Sequence, residues 1–547
     1  MIGQVNVIKG PISALYGDQN RAGSVDIKTA EVANTRSSIG AEVSSFNGKR
    51  GNVILANNFN DLESLFVADI YRTEGFRDST ETKRNNYFWK LSKVIGDGRY
   101  SARISNYDSK SQAAGYLYLS QLQSGLSPKS TQEDVAGFGE ARRNSIVFNR
   151  APAEGEAGWY VTAYFEDLYR TRGITLETNP KSTSHNFGED DRKMYGLRLS
   201  NNFVFDRANL IVGTEVRRDD GTALRQKYIN YIPTSDFFYN FDMDLTTYGV
   251  FAQVQYQIFD QLKAVGGIRY DRFDYDIQNL KFPDADISNY QSGITTPKFG
   301  LVWSPYDNLE IFANTAEGFR SPAAEQISAG ASSAKPLNSA GGGANADLKA
   351  SKVKSYDFGA NFQPIENLRT SIELYYIENQ NETIAKGDFY EQAGDTTRKG
   401  FDLSTAYQLN DQWSVYASYG HIVQAKLDNP SAGSGAKLTV PEHTLKAGVQ
   451  YQKQLGSGKI TLNADAYHLS NIPYYNKINN LPVERKMPAY SRYDLKVAYD
   501  YSDYQFSVFA TFQPHRYGTE IAYGTNTDLL LSPQPSSILG ASVRYFF

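Results

Sequence analysis

Side chains able to do covalent or metal chemistry are few and scattered in this chain. Five histidines stand at positions 185, 421, 443, 468 and 515 of 547 residues, and none of their spacings matches a metal-ligand motif. Cysteine is absent, which excludes a thiolate metal site and a disulfide framework. Serine, histidine and acidic residues are too dispersed to nominate a catalytic triad. The run GSGK at 456–459 lacks the preceding glycine of a phosphate-binding loop and falls in a predicted hairpin turn. No catalytic residue, cofactor or metal ligand is therefore expected, and the informative residues are those of the scaffold.

That scaffold reads as all-β. Tyr 39 and Phe 30 stand beside Gly 44 and only Met 4, and the runs between turns are rich in Tyr, Phe, Val, Thr and Ile, the residues that fit a pleated sheet. Lys+Arg 56 against Asp+Glu 60 leaves a formal net charge of -4, with no basic block, so a general nucleic-acid binder is excluded. No run of eighteen apolar residues could form a transmembrane helix. A mean hydropathy of -0.50 still suits a membrane barrel, where only alternate strand residues face lipid.

Period-two alternation begins near residue 35. In TTYGVFAQVQYQI, Tyr248, Val250, Ala252, Val254 and Tyr256 share one face, and Thr247, Gly249, Gln253, Gln255 and Gln257 share the other. Strands are predicted at 35–46, 52–60, 64–73, 85–94, 99–108, 144–150, 159–170, 193–205, 208–219, 244–258 and 262–276. They continue at 294–304, 309–318, 353–364, 368–381, 390–409, 413–425, 443–454, 460–470, 492–500, 505–514 and 536–547, about 22 in all. Connections alternate between tight turns and long polar stretches such as 109–143, 171–192, 220–243 and 319–352. Short turns on one rim and long loops on the other mark a transmembrane antiparallel β-barrel. A propeller would repeat a motif every forty or so residues, and no such repeat is present. A barrel near 22 strands is wide enough to need a plug.

The opening residues fit that need. Val5, Val7, Lys9, Gly10, Pro11, Ser13, Leu15, Tyr16 and Gly17, followed by Ala22, Gly23, Val25, Ile27 and Thr29, resemble the last part of the plug domain in TonB-dependent outer-membrane receptors. Gly10-Pro11 suits a sharp turn after a strand, and Gly17 and Gly23 permit close backbone approach. AEGFRSP at 316–322, NADLKASKVKSYDFGANF at 345–362, FYEQAGDTTRKGFDL at 389–403 and the terminal VRYFF resemble further segments of the family. Gln392 and Asp402 stand where Asn and Glu are commoner. The resemblance implies two parts, a C-terminal remnant of the plug at 1–34 and the barrel at 35–547.

It also implies import across the bacterial outer membrane, with lipid around a monomeric barrel, TonB as energy-coupling partner and a ferric siderophore as the commonest cargo. Haem, cobalamin and glycans are other cargoes of the family. The haem-type boxes are echoed weakly by Phe319-Arg320-Ser321-Pro322 and Asn345-Ala346-Asp347-Leu348, with no histidine between them. An outer-membrane hydrolase would need a Ser/His pairing that the sequence does not suggest. Family members carry an export signal, a TonB-contacting box and most of a plug upstream of the matching segment. The sequence is accordingly expected to be a shortened record of a longer receptor, one half of a split gene, or a plug-deleted barrel. A site for an anionic, aromatic ferric chelate should mix cationic and aromatic side chains on the loop side. Arg72, Arg77, Tyr116, Tyr118, Arg320, Tyr474, Tyr475, His515, Arg516 and Tyr517 are the candidates by position.

Overall fold

The computed structural model describes residues 2–10, 13–18, 20, 23–131, 137–174, 184–229, 232–281, 287–323, 327, 349–381, 383–386, 389–392, 395–427, 440–478, 481–514, 523–525 and 528–547. Twenty-two antiparallel strands form one closed barrel, from Ser38–Ser44 to Ser537–Phe546. Those two strands close it, with Ser38 opposite Phe546 and Ser44 opposite Gly540. Closure leaves no wall strand with an unpaired edge, the condition for β-structure in lipid.

Each strand predicted from alternation has one counterpart in the wall. The outward face is apolar: Tyr248, Val250, Val254 and Tyr256 are exposed, as are Ile268 and Tyr270 on the next strand. Inward neighbours Gln253, Arg269 and Asp271 are buried against the barrel's contents. One rim carries tight turns, several with a left-handed residue such as Asn60, Asp61, Gly96, Gly456 or Ser502. Gly456 within GSGK is thus a turn residue between Gln454 and Lys459, which face each other across the hairpin. Ile268 lies ~15 Å along the barrel axis from the short-turn rim, taking ~3.3 Å per residue and a strand tilt near ~40°. Ile268→Lys is expected to destabilise the folded barrel by about 2–4 kcal/mol, the depth-dependent cost of a lysine facing lipid. Urea unfolding from lipid vesicles would measure it.

Alternation underestimates the strands on the opposite rim. Ile232–Phe259 runs for 28 residues where 244–258 is predicted, and Ala208–Ile229, Ser184–Val204 and Gly137–Pro152 are similarly extended. About 9–11 residues span a membrane, so these strands project far into water. The outward face is then no longer held apolar by lipid, and on Ile232–Phe259 the apolar side chains Tyr239, Phe241 and Met243 face inward instead, although the hydrogen-bond ladder continues. Much of the predicted loops 109–143, 171–192 and 220–243 is therefore wall. The predicted strand 390–409 is divided instead. Thr396–Gln408 joins the wall, while Phe389–Gln392 forms a separate hairpin with Thr383–Lys386. Its wall partner, Leu368–Gln380, ends opposite Thr396, leaving earlier residues without a neighbour to extend along.

Inside the barrel lies a separate two-stranded sheet, Ile2–Lys9 with Gly23–Thr29, and the one-turn helix Ser13–Tyr16 between its strands. Residues 30–37 lead from it to the first wall strand. Ala30 and Val32 pack on Ile54, Leu65 and Phe88, and Glu31 takes Lys90 at 2.6 Å and Arg99 at 2.7 Å.

Candidate functional site

Residues 9–18 meet the wall at several strands remote from one another in sequence. Lys9 Nζ donates to Asp402 at 2.6 Å and lies 3.5 Å from Glu373. Burial would lower the Lys9 pKa, but the hydrogen bond and the charges of Asp402 and Glu373 outweigh it and raise the value. Gly10 has φ +74°, and a Cβ there would stand 3.2 Å from an Asp357 carboxylate oxygen. Ala14 is fully buried, close against Gly267. Arg198 Nη2 donates to the Leu15 carbonyl at 2.9 Å, and its guanidinium lies over the rings of Phe251 at 4.8 Å and Tyr16 at 6.0 Å. The Ser321 N–H and hydroxyl donate to the two carboxylate oxygens of Asp18 at 2.9 and 2.6 Å.

Gly17 explains why the chain can turn here. Its φ is +73°, and a Cβ would stand 2.8 Å from Arg269 Nη2. Arg269 is 1% exposed and binds Asp271 through Nε and Nη2, with Glu215 at 2.5 Å. Its Nη1 has no partner among the described residues. A guanidinium flanked by two carboxylates thus forms the seat on which the Tyr16–Asp18 turn rests.

Above that turn, toward the long-loop rim, lies a cavity of about 770 Å³ with Tyr16 and Asp18 in its lining. One side is cationic and acidic: Arg170, Arg172, Arg192, Arg198 and Arg217 alternate with Asp190, Glu215 and Asp219. Most of these charges are matched. Arg170 pairs with Asp190, and Arg217 lies 2.7 Å from Asp219. Arg172 and Arg320, both lining residues, have no ion-pair or hydrogen-bond partner among the described residues. The other side is aromatic. Tyr239 and Phe241 are stacked at 5.2 Å, Phe273 meets Phe319 edge-on at 5.5 Å, and Tyr275 donates to the Pro322 carbonyl at 2.8 Å. The cavity can therefore hold an aromatic, anionic ligand between ring faces and guanidinium groups.

Of the residues singled out by position, Arg320 alone lines this cavity among the described side chains. Arg72 faces outward, in register with Lys49 and Lys83 on neighbouring strands. Arg77 is buried, and its donors go to the carbonyls of Ala114, Gly115 and Ser130. It clasps the connection that contains Tyr116 and Tyr118. Tyr118 pairs with Leu530 and its N–H donates to Gln121, away from the cavity lining. Tyr474 and Tyr475 lie on the hairpin Ile472–Ile478 with Leu481–Met487, and their side chains fall outside the described set. His515, Arg516, Tyr517 and Pro11 lie outside the described residues. Lys9, Gly10, Ser13, Leu15, Tyr16, Gly17 and Gly23 are all placed within the internal segment. Arg170, Arg172, Arg198 and Arg269 escape sequence reasoning. The i, i+2 arginines of YRTRG were a usable signal, because such spacing puts both on one strand face.

Residues 31–513 match the family model for the TonB-dependent receptor-like β-barrel. An uncharacterized TonB-dependent receptor of Haemophilus influenzae is 26% identical over 271 residues, 47% of this chain and 72% of that protein. Matches to several other curated relatives cover about a third or less of their length. The ferric-catecholate import receptor Fiu of E. coli K12 superposes with a TM-score of 0.76 at 16% identity, covering 100% of this chain and 86% of that one. The ferric citrate transporter FecA gives 0.79 at 15% identity, covering 99% and 83%. The closed wall of twenty-two strands and the family match over most of its length agree: this chain belongs to the TonB-dependent receptor β-barrels of the outer membrane.

Proposed function

We propose that the chain acts in uptake of a ferric siderophore or a similar metal chelate, with residues 1–34 as the final part of a plug and 35–547 as the transmembrane barrel. The observation that carries this reading is the cavity seated on Tyr16 and Asp18, with aromatic rings on one side and the unpaired Arg172 and Arg320 on the other. The chelate binds there from the long-loop side, and its contacts with Tyr16 and Arg320 report occupancy to the internal segment. Asp18 is tied to Ser321, the residue after Arg320, so a ligand that moves Arg320 pulls directly on that segment. TonB would act on the plug, and the barrel works as a monomer. The ferric-catecholate and ferric-citrate cargoes named for the similar structures support the chelate class.

The test is binding of purified protein to a panel of ferric catecholate, hydroxamate and citrate chelates, followed by quenching of intrinsic fluorescence. One class is expected to bind, and Arg172→Ala combined with Arg320→Ala to weaken it about tenfold or more, each charge-assisted hydrogen bond contributing roughly 1.5–3 kcal/mol. Radio-iron uptake in cells should need TonB. Failure of every chelate to bind would reject the reading, as would full affinity in the double variant.

A further inference from the structure

Two of the five histidines, His421 and His443, meet on the outer face of the wall, and a third, His468, lies on the next strand. Strand Trp413–Leu427 pairs with His443–Leu455 so that His421 sits opposite His443, and His468 on the next strand sits opposite Leu445. The alternation that turns Trp413 and Leu445 outward turns His421 and His443 outward as well. Glu442 immediately precedes the second strand, at the root of the long connection 428–442.

The two imidazoles are in direct contact. Their Nδ1 atoms are 3.0 Å apart, and the rings are nearly parallel with centroids at 4.5 Å. The Tyr419 hydroxyl lies 2.8 Å from His443 Nδ1, and Phe401 meets the His421 ring edge-on. His443 is anchored further by its backbone N–H, which donates to the Ser470 hydroxyl at 3.0 Å. Glu442 Oε1 is 3.7 Å from His443 Nε2, and one donor atom from each of the three residues lies within 4.8 Å of the others.

This is more than a pair of interfacial rings. The two nitrogens are at hydrogen-bond distance, close enough for one cation to take both in place of a shared proton. With metal–nitrogen bonds of about 2.0–2.1 Å, that separation subtends roughly 95° at a common ion, within the range of metal sites. One ring has to turn about its soft terminal torsion to bring both lone pairs together. The exposed Glu442 has room to follow, because it borders a cavity of about 440 Å³. Two imidazoles and a carboxylate are a donor set for zinc, cobalt or nickel, and too nitrogen-rich for calcium or magnesium.

We propose that His421, His443 and Glu442 form a surface site for a divalent transition-metal cation of the zinc class, at the root of the connection 428–442. The site is separate from the lumenal cavity, so it takes a free cation whatever cargo passes through the barrel. A bound ion ties Glu442 to two adjacent wall strands.

The experiment uses the full chain, purified in detergent without a histidine tag, with zinc and cobalt ions as probes. Calorimetry is expected to show one equivalent of zinc, and cobalt to give the visible absorption of a nitrogen- and oxygen-ligated ion. His421→Gln or His443→Gln should lower the affinity about tenfold or more, and Glu442→Gln by a smaller factor. His468→Gln, whose native ring contacts Ser491, should leave binding unchanged. Heat-shifted electrophoretic mobility confirms that each variant barrel is folded. The proposal is overturned by the lack of saturable binding, by affinity that survives both histidine variants, or by equal loss in His468→Gln.

Discussion

Arg269→Leu is expected to destabilise the barrel by about 3–5 kcal/mol, the usual cost of breaking a buried ion pair by removing one partner. The arginine is 1% exposed and holds both Asp271 and Glu215, and without it Glu215 keeps only Arg198 at 3.9 Å. Leucine fills much of the volume but leaves two carboxylates facing one another in a desolvated pocket. Asp271 is buried and Glu215 half-buried, so water can rescue only one of them well. Urea unfolding followed by tryptophan fluorescence would read the loss. A cost below about 1 kcal/mol would mean that the carboxylates are already neutral or hydrated, contrary to the electrostatics described above. Arg269→Leu combined with Asp271→Leu should recover part of the stability, because an apolar replacement of a whole buried pair is often tolerated. The single variant should also loosen the Tyr16–Asp18 turn, since Gly17 rests on the guanidinium. Faster hydrogen exchange at residues 13–18 would register that release.

Phe273→Ala should cost about 3–5 kcal/mol by lost apolar burial and an unfilled cavity. Phe273 is 1% exposed and packs within a cluster that includes Phe241, Tyr275, Ile277 and Phe319. These rings form the aromatic side of the lumenal cavity, and the edge-on contact with Phe319 adds to the area term. Phe319 precedes Arg320, so the same substitution should let Arg320 shift and weaken chelate binding along with stability. The two effects separate by temperature. Loss of affinity at a temperature where the variant remains folded would show that the aromatic side orients the guanidinium. Unchanged affinity would confine Phe273 to packing.

The wall was legible because lipid imposes a simple rule. A strand with one face in hydrocarbon must alternate, and the 22 runs found by alternation each correspond to a wall strand. The terminal run LGASVRYFF shows this well, with Leu539, Val543, Tyr545 and Phe547 exposed outward. Several turns were legible too, since Asp61 and Gly96, at the start of turns read from the sequence, are residue types that tolerate the left-handed conformation. The same rule failed at Ile232–Phe259, whose outer half reverses the pattern: Tyr239, Phe241 and Met243 turn inward onto the cavity's aromatic cluster and alternate with the polar Asn240 and Asp242.

By itself, then, the sequence determined the fold class, the number and order of strands, which rim carries the turns, and the family resemblance of residues 5–29. Only the tertiary structure decided which polar residues act together. Alternation says that Arg198, Arg269, Asp357 and Asp402 face inward, but not what they face. That depends on the register of strands and on the closure of a ring that brings positions hundreds of residues apart around one short segment, as Lys9 meets Asp402 and Asp18 meets Ser321. His421 and His443 follow the same logic on the outside, where a 22-residue separation in sequence becomes a 3.0 Å contact through cross-strand pairing. One-sided burial is a local property and is written along the chain, whereas convergence of charge is a property of the closed barrel.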